Sequence, residues 1–244
     1  MSSDTMADFN LTVGFDDNRH SDVIAYISPS FSGFQFAGAM VAPGLEQEYT
    51  NIYTGYPKED NADSLAEAYS LALIYKNGPF YGSVAYESLS KKMFSHENYD
   101  YQSLYGRTAD DDSKWKIGLG LLDWNGFSMT GVYEARSNVL GAPTKADSNL
   151  WQIQAGYAFG NNMVKAMYGS ADLDRCADNA GRGFRYTCSL GYNIVDNADK
   201  STWAIGFDHN FSKRTQVYAL YTALDDDIDN ADWSGFSLGM QHAF

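Results

Sequence analysis

Apolar and polar residues alternate with a period of two along almost the whole chain, and none of these stretches keeps a helical spacing. Near the C-terminus Phe236, Leu238, Met240, His242 and Phe244 share one parity, and Ser237, Gly239, Gln241 and Ala243 the other. Trp203, Ile205, Phe207, His209 and Phe211 oppose Thr202, Ala204, Gly206, Asp208 and Asn210 in the same way. So do Trp151, Ile153, Ala155, Tyr157 and Phe159 against Gln152, Gln154, Gly156 and Ala158, and Trp115, Ile117, Leu119 and Leu121 against Lys116, Gly118 and Gly120. Successive side chains of a strand point to opposite faces, so each stretch predicts a strand with one apolar and one polar face. About eleven are expected, near residues 20–29, 34–42, 65–76, 79–89, 114–123, 127–136, 150–159, 163–172, 201–211, 215–224 and 234–244.

The connections alternate in length. Residues 29–33, 77–78, 124–126, 160–162 and 212–214 are short links; residues 43–64, 90–113, 137–149, 173–200 and 225–233 are long ones. Short turns at one end and long loops at the other are the pattern of an up-and-down barrel that crosses a membrane. A sandwich with Greek-key connections has no reason to sort its loops this way. The expected fold is therefore an all-β, antiparallel, transmembrane β-barrel. No stretch approaches the 18 or so apolar residues of a membrane helix, and the low mean hydropathy of -0.39 is what alternating strands produce. The competing architecture is a soluble or surface-displayed β-sandwich that binds a ligand such as carbohydrate. Two features favour the barrel. Trp115, Trp124, Phe127, Trp151, Phe159, Trp203, Phe211 and Trp233 fall near strand ends, as in interfacial girdles. The opposite faces are rich in Gly, Ser, Thr and Gln, a poor dry core and a good wall for a wet lumen.

Charge narrows the function. Asp and Glu number 31 against 17 Lys and Arg, a net charge of -14, which excludes nonspecific nucleic-acid binding. Much of the acid lies in the long links: Glu46, Glu48, Asp110 to Asp112, Asp225 to Asp227, Asp229 and Asp232. Solvated surface is the plain reading, and a divalent-cation bridge to anionic surface lipid the sharper one. Two cysteines with no nearby histidine make neither a zinc site nor a disulfide scaffold, and no metal or cofactor is expected. His20, His96, His209 and His242 are scattered, and no Gly-x-Ser-x-Gly elbow occurs, so no enzyme is expected. The enzymatic alternative is a lipid hydrolase built on a barrel of about twelve strands. Ser212-Lys-Arg-Thr215 reads either as a phosphate-binding turn or, more plainly, as a turn with a positive cluster.

Three segments carry a family resemblance. Tyr26-Ile-Ser-Pro-Ser-Phe-Ser-Gly-Phe34 resembles the strand–turn–strand segment of Gram-negative general porins. Phe211-Ser-Lys-Arg-Thr215, followed by Tyr218, resembles the periplasmic turn before their penultimate strand. Gly239-Met-Gln-His-Ala-Phe244 resembles their terminal strand. Together, in order, they span essentially the whole chain.

The resemblance implies a sixteen-stranded barrel in which the eleven strands here are the sixth to sixteenth, with about five preceding strands absent. Residues 1–19 would be the second half of the constriction loop, and residues 20–244 the barrel wall. Phe9, Leu11, Val13 and Phe15 also alternate and leave a twelfth strand open as an alternative. The N-terminus, Met1 to Asp8, has no basic or apolar signal region, so the chain is expected to begin within a longer gene product or after a removed peptide.

The resemblance further implies a passive diffusion channel in the outer membrane, passing ions and small hydrophilic solutes. It implies a homotrimer, contact with outer-membrane lipid and lipopolysaccharide, and recognition of Phe244 by the assembly machinery. The implied constriction is Arg19 facing Asp4 and Asp8, with surface pairing of Arg19 to a neighbouring Asp as the alternative. By alternation, Lys116, Glu134, Arg136, Gln152, Gln154, Lys165 and Asp208 point inward and line the pore. Net acidity suggests a preference for cations. Cys176 and Cys188 share one long loop, and in an oxidising compartment a disulfide between them is expected, with free thiols as the alternative.

Overall fold

The computed structural model describes residues 23–41, 49–50, 57–58, 67–90, 111–138, 147–173, 175–177, 193–195, 199–227 and 232–243. The strands are β1 (Val23–Ile27), β2 (Phe34–Val41), β3 (Tyr49–Thr50), β4 (Pro57–Lys58), β5 (Ala68–Asn77), β6 (Phe80–Leu89), β7 (Asp112–Trp124) and β8 (Phe127–Ser137). They continue with β9 (Ser148–Phe159), β10 (Asn162–Leu173), β11 (Arg175–Ala177), β12 (Asn193–Val195), β13 (Lys200–Ser212), β14 (Thr215–Asp226) and β15 (Trp233–His242). Eleven form one sheet in the order β1-β2-β5-β6-β7-β8-β9-β10-β13-β14-β15, every neighbour antiparallel and consecutive among the sheet strands. These are the eleven strands expected from the sequence. The pairs β3–β4 and β11–β12, inside the links 43–64 and 173–200, were not expected.

The long strands keep one register. Its two irregularities lie between Leu121 and Trp124 and between Asn210 and Ser212, both beside turns. Backbone geometry makes the turns tight. Gly33 and Gly126 have φ of +88° and +84°, and a Cβ there would lie 2.7 Å from the Lys76 carbonyl oxygen and 2.5 Å from that of Ala158. Those close approaches accompany hydrogen bonds from Lys76 N–H to the Gly33 carbonyl and from Ala158 N–H to the Gly126 carbonyl, each 2.8 Å, which tie a turn to the next strand. Strand β1 ends sooner than expected, at Ile27. It stops before Pro29, which has no N–H to donate, while the Ser28 hydroxyl accepts a hydrogen bond from Phe36 N–H at 2.9 Å.

The two faces of the sheet are reversed relative to a soluble protein. One face is apolar and exposed: Trp203, Ile205 and Phe207 of β13 are 44%, 50% and 42% exposed, and Phe236, Leu238 and Met240 of β15 about 70%. The other is polar and buried, with Lys165, Thr202, Glu134 and Asp112 all under 5% exposed. A sandwich would bury the apolar face against a second sheet. Among the described residues, no second layer covers it. Large twisted sheets of this strand number curl, which gathers one face onto a concave side. Met167, Ala204 and Leu220 form a small apolar cluster among the polar side chains of that inner face.

Exposed aromatic rings sit in two belts. On the loop side Tyr86 lies 4.6 Å from Trp115, Trp151 lies 5.4 Å from Tyr168, and Trp203 lies 5.2 Å from Tyr221. On the turn side Phe34 meets Tyr75, Tyr157 meets Phe159, and Phe211 meets His209. Trp203 and Phe211 are separated along β13 by about 26 Å at a strand's rise, or about 20 Å once a barrel's tilt is removed. That is close to the apolar band of a membrane barrel, about 25 Å. Trp233 corrects the expected girdle: its register with Leu224, and through Leu224 with Thr202, puts it at an inward position.

Candidate functional site: the inner wall

Register assigns the inner face residue by residue. Lys116 and Glu134 are directly opposite on β7 and β8, followed across β9, β10 and β13 by Leu150, Ala171 and Lys200, and then by Asp226 of β14. A second row, nearer the turns, runs Gly118, Val132, Gln152, Gly169, Thr202 and Leu224. Gln154 joins Thr130 and Met167 in the next row. All seven side chains expected to point inward therefore share this face.

Charge on the wall is paired rather than free. Arg136 donates through Nε to both carboxylate oxygens of Asp112, at 2.9 and 3.0 Å, and its Nη2 also contacts Oδ2. Lys114 lies 3.1 Å from Glu87 on the opposite strand. Lys165 donates to Asp208 Oδ2 at 2.8 Å. Lys116 Nζ lies 2.9 Å from Glu134 Oε2, yet the angle does not make a hydrogen bond, and that contact is an ion pair only. Asp208 Oδ1 is buried without a hydrogen-bond partner among the described residues. Buried charges persist only when paired, and four cross-strand pairs meet that requirement here.

Glycine makes room for one of these pairs. Lys165 is directly opposite Gly206, and a Cβ on Gly206 would meet the lysine chain at 2.9 and 3.1 Å. The side chain thus lies flat along the wall to reach Asp208, whose own cross-strand partner is Met163. Tyr218, opposite Gly239, covers that glycine with its ring in the same manner.

Two wall residues were expected in loops. Asp112 is inward because β7 begins there, so this member of an acidic run read as solvated loop is fully buried. Strand β14 likewise runs on to Asp226, opposite Lys200. The signal was present: Asp112, Lys114 and Lys116 continue the even parity of Gly118 and Gly120. The inward positions carry Lys76, Lys114, Lys116, Arg136, Lys165 and Lys200 against Glu87, Asp112, Glu134, Asp208 and Asp226. The described wall is thus nearly neutral, and the net charge of -14 arises elsewhere. The cation preference expected from net acidity gains no support from it.

Arg19, Asp4, Asp8, Cys188 and Phe244 lie outside the described residues. Cys176 lies in β11, opposite Ile194. His209 and His242 are on the outer face as expected. The Nδ1 of His209 pairs with Asn162 Oδ1 at 2.8 Å, and that of His242 with the Thr215 hydroxyl at 2.9 Å.

Residues 1–244 match the family model of Gram-negative porins. The chain belongs to the Gram-negative porin family. Membership implies the outer membrane. The anion-selective porin of Comamonas acidovorans has the same fold, with a TM-score of 0.58 at 16% identity over 91% of this chain and 59% of that one. Salmonella typhi OmpF, in complex with daunomycin, gives 0.54 at 14% identity over 90% of this chain and 61% of that one. OmpT of Vibrio cholerae gives 0.53 at 11% identity, with 90% and 63% covered. This chain thus spans about three-fifths of the length of these porins. No curated protein sequence matches it.

Proposed function

We propose that this chain is the greater part of a passive diffusion channel for ions and small hydrophilic solutes in the outer membrane. The observation that carries this reading is the reversed polarity of one large antiparallel sheet: charged pairs on the shielded face, apolar side chains and aromatic belts on the open one. Among the described residues the outermost of the eleven strands, β1 and β15, run in the same direction. Antiparallel closure therefore needs an odd number of further strands, and an open edge within lipid is costly. About five more would complete a sixteen-stranded porin barrel, in keeping with the share of its relatives that the chain spans.

In this reading residues 1–19 are half of the constriction loop, and residues 20–244 are wall. Arg19 faces Asp4 and Asp8 across the narrowest point, setting a transverse field. Lys116, Glu134, Arg136, Gln152, Gln154, Lys165 and Asp208 border the lumen. The mixed, paired wall gives weak ion selectivity, and the loops contribute the rest. Three such barrels associate, Phe244 serves assembly, lipopolysaccharide surrounds the loop end, and Cys176 with Cys188 staples one loop. The channel has no catalytic role. Planar-bilayer conductance of the refolded chain tests this: discrete steps are expected, and a β-rich, membrane-inserted chain that never conducts, alone or with five further porin strands supplied, would refute it.

A further inference from the structure

An apolar groove of about 430 Å³ opens between Phe207, Val217, Ala219 and Leu238 on the outer face of β13, β14 and β15. Its floor is the small pair Val217 and Ala219; Phe207 and Leu238, directly opposite Ala219 on the two neighbouring strands, are its walls. Toward the turn the same face continues through His209 and Met240 to Thr215 and His242, and ends at Lys213 and Arg214.

Those two cations differ from the basic residues of the wall. Lys114, Lys116, Arg136 and Lys165 each hold a carboxylate. Lys213 and Arg214 are exposed, and no described residue pairs with either. Their turn is nevertheless fixed. Arg214 N–H donates to the Ser212 hydroxyl at 3.1 Å, and the Arg214 carbonyl accepts from Ala243 N–H at 2.9 Å. An apolar slot that runs down to a fixed turn with two cations that have no partner among the described residues is complementary to an anionic amphiphile.

We propose that this is a binding site for an anionic phospholipid. Its acyl chain lies in the groove, and its phosphate meets Lys213 and Arg214 beside the Thr215 and His242 side chains. The site rests on reading the outer face as lipid-facing. Hydrocarbon alone would accept any lipid; the two cations add a charge preference of about fivefold each.

The test uses the full chain refolded in detergent, incubated with equal amounts of phosphatidylglycerol and phosphatidylcholine, and read by native mass spectrometry. Phosphatidylglycerol adducts should exceed phosphatidylcholine adducts at least about fivefold. The double variant K213Q/R214Q should bring the ratio close to one, and A219F, which fills the groove, should lower both adducts. A ratio near one in the unaltered chain, or one unchanged in K213Q/R214Q, would overturn the proposal. So would A219F leaving adducts intact, or a second copy of the chain occupying the groove in place of lipid. Loss of the heat-modifiable folded band in the unaltered chain would instead bring down the barrel reading, and the site with it.

Discussion

Replacing Asp112 by Asn while leaving Arg136 in place tests whether the inner wall is electrostatically tight at its loop end. Asp112 is fully buried and Arg136 nearly so, and Arg136 Nε reaches both oxygens of the carboxylate within 3.0 Å. D112N keeps the shape and one acceptor but removes the charge, leaving the guanidinium buried against a neutral amide. Loss of a charge-assisted hydrogen bond costs about 1.5–3 kcal/mol, and stranding one partner of a buried pair about 3–5. The amide retains a weaker bond, so about 2–3 kcal/mol is expected. R136M should cost a similar amount by stranding Asp112. The double variant D112L/R136M removes both charges together and should recover most of the loss, because an apolar pair of similar size can replace a buried ion pair. Urea unfolding of the chain folded into lipid vesicles measures these variants together with D112L, and the cycle of D112L, R136M and D112L/R136M should return a coupling of about 3 kcal/mol. A coupling below about 0.5 kcal/mol, with additive single losses, would mean that water screens the pair and that the wall is wet at this level.

At Gly126, alanine must adopt φ +84° with its Cβ 2.5 Å from the Ala158 carbonyl oxygen, whereas at Gly160 nothing lies within 4 Å. G126A should therefore cost about 2–3 kcal/mol and G160A about 1, in the same unfolding assay. I153R puts a charge in the middle of the outer face and should cost about 2–4 kcal/mol in vesicles; Q152R, one residue away on the inner face, should cost less than about 1 and alter conductance instead. G206V should displace Lys165 from its path along the wall. Reversal-potential measurements should then show a shift toward anions as the ammonium group turns into the lumen.

The pattern of the eleven sheet strands was legible in the sequence because the barrel wall has the simplest periodicity available, and each face meets one medium along its whole length. Sheet neighbours followed from turn length alone, as at 77–78 and 160–162, where two strands can meet only as a hairpin. Strand ends were less legible. Charged residues at Asp112 and Asp226 look like loop by composition, and only their pairing with Arg136 and their place opposite Lys200 make them wall. Inward direction was legible for Lys165 and Asp208, but their pairing was not, since it depends on Gly206 leaving the lysine room to lie flat. Net charge misled because it sums loops and wall, and the nearly neutral wall emerges only once register separates them.

Spin-label accessibility along β13, with the chain folded in lipid vesicles, reads directly which medium each face of the sheet meets. Single labels at residues 202 to 208 are read with oxygen, which concentrates in lipid, and with a water-soluble nickel complex. The reversed faces predict oxygen maxima at Trp203, Ile205 and Phe207 and minima at Thr202, Ala204, Gly206 and Asp208. Equal oxygen access at all seven positions, or nickel maxima at Trp203, Ile205 and Phe207, would place the apolar face in water and contradict the account.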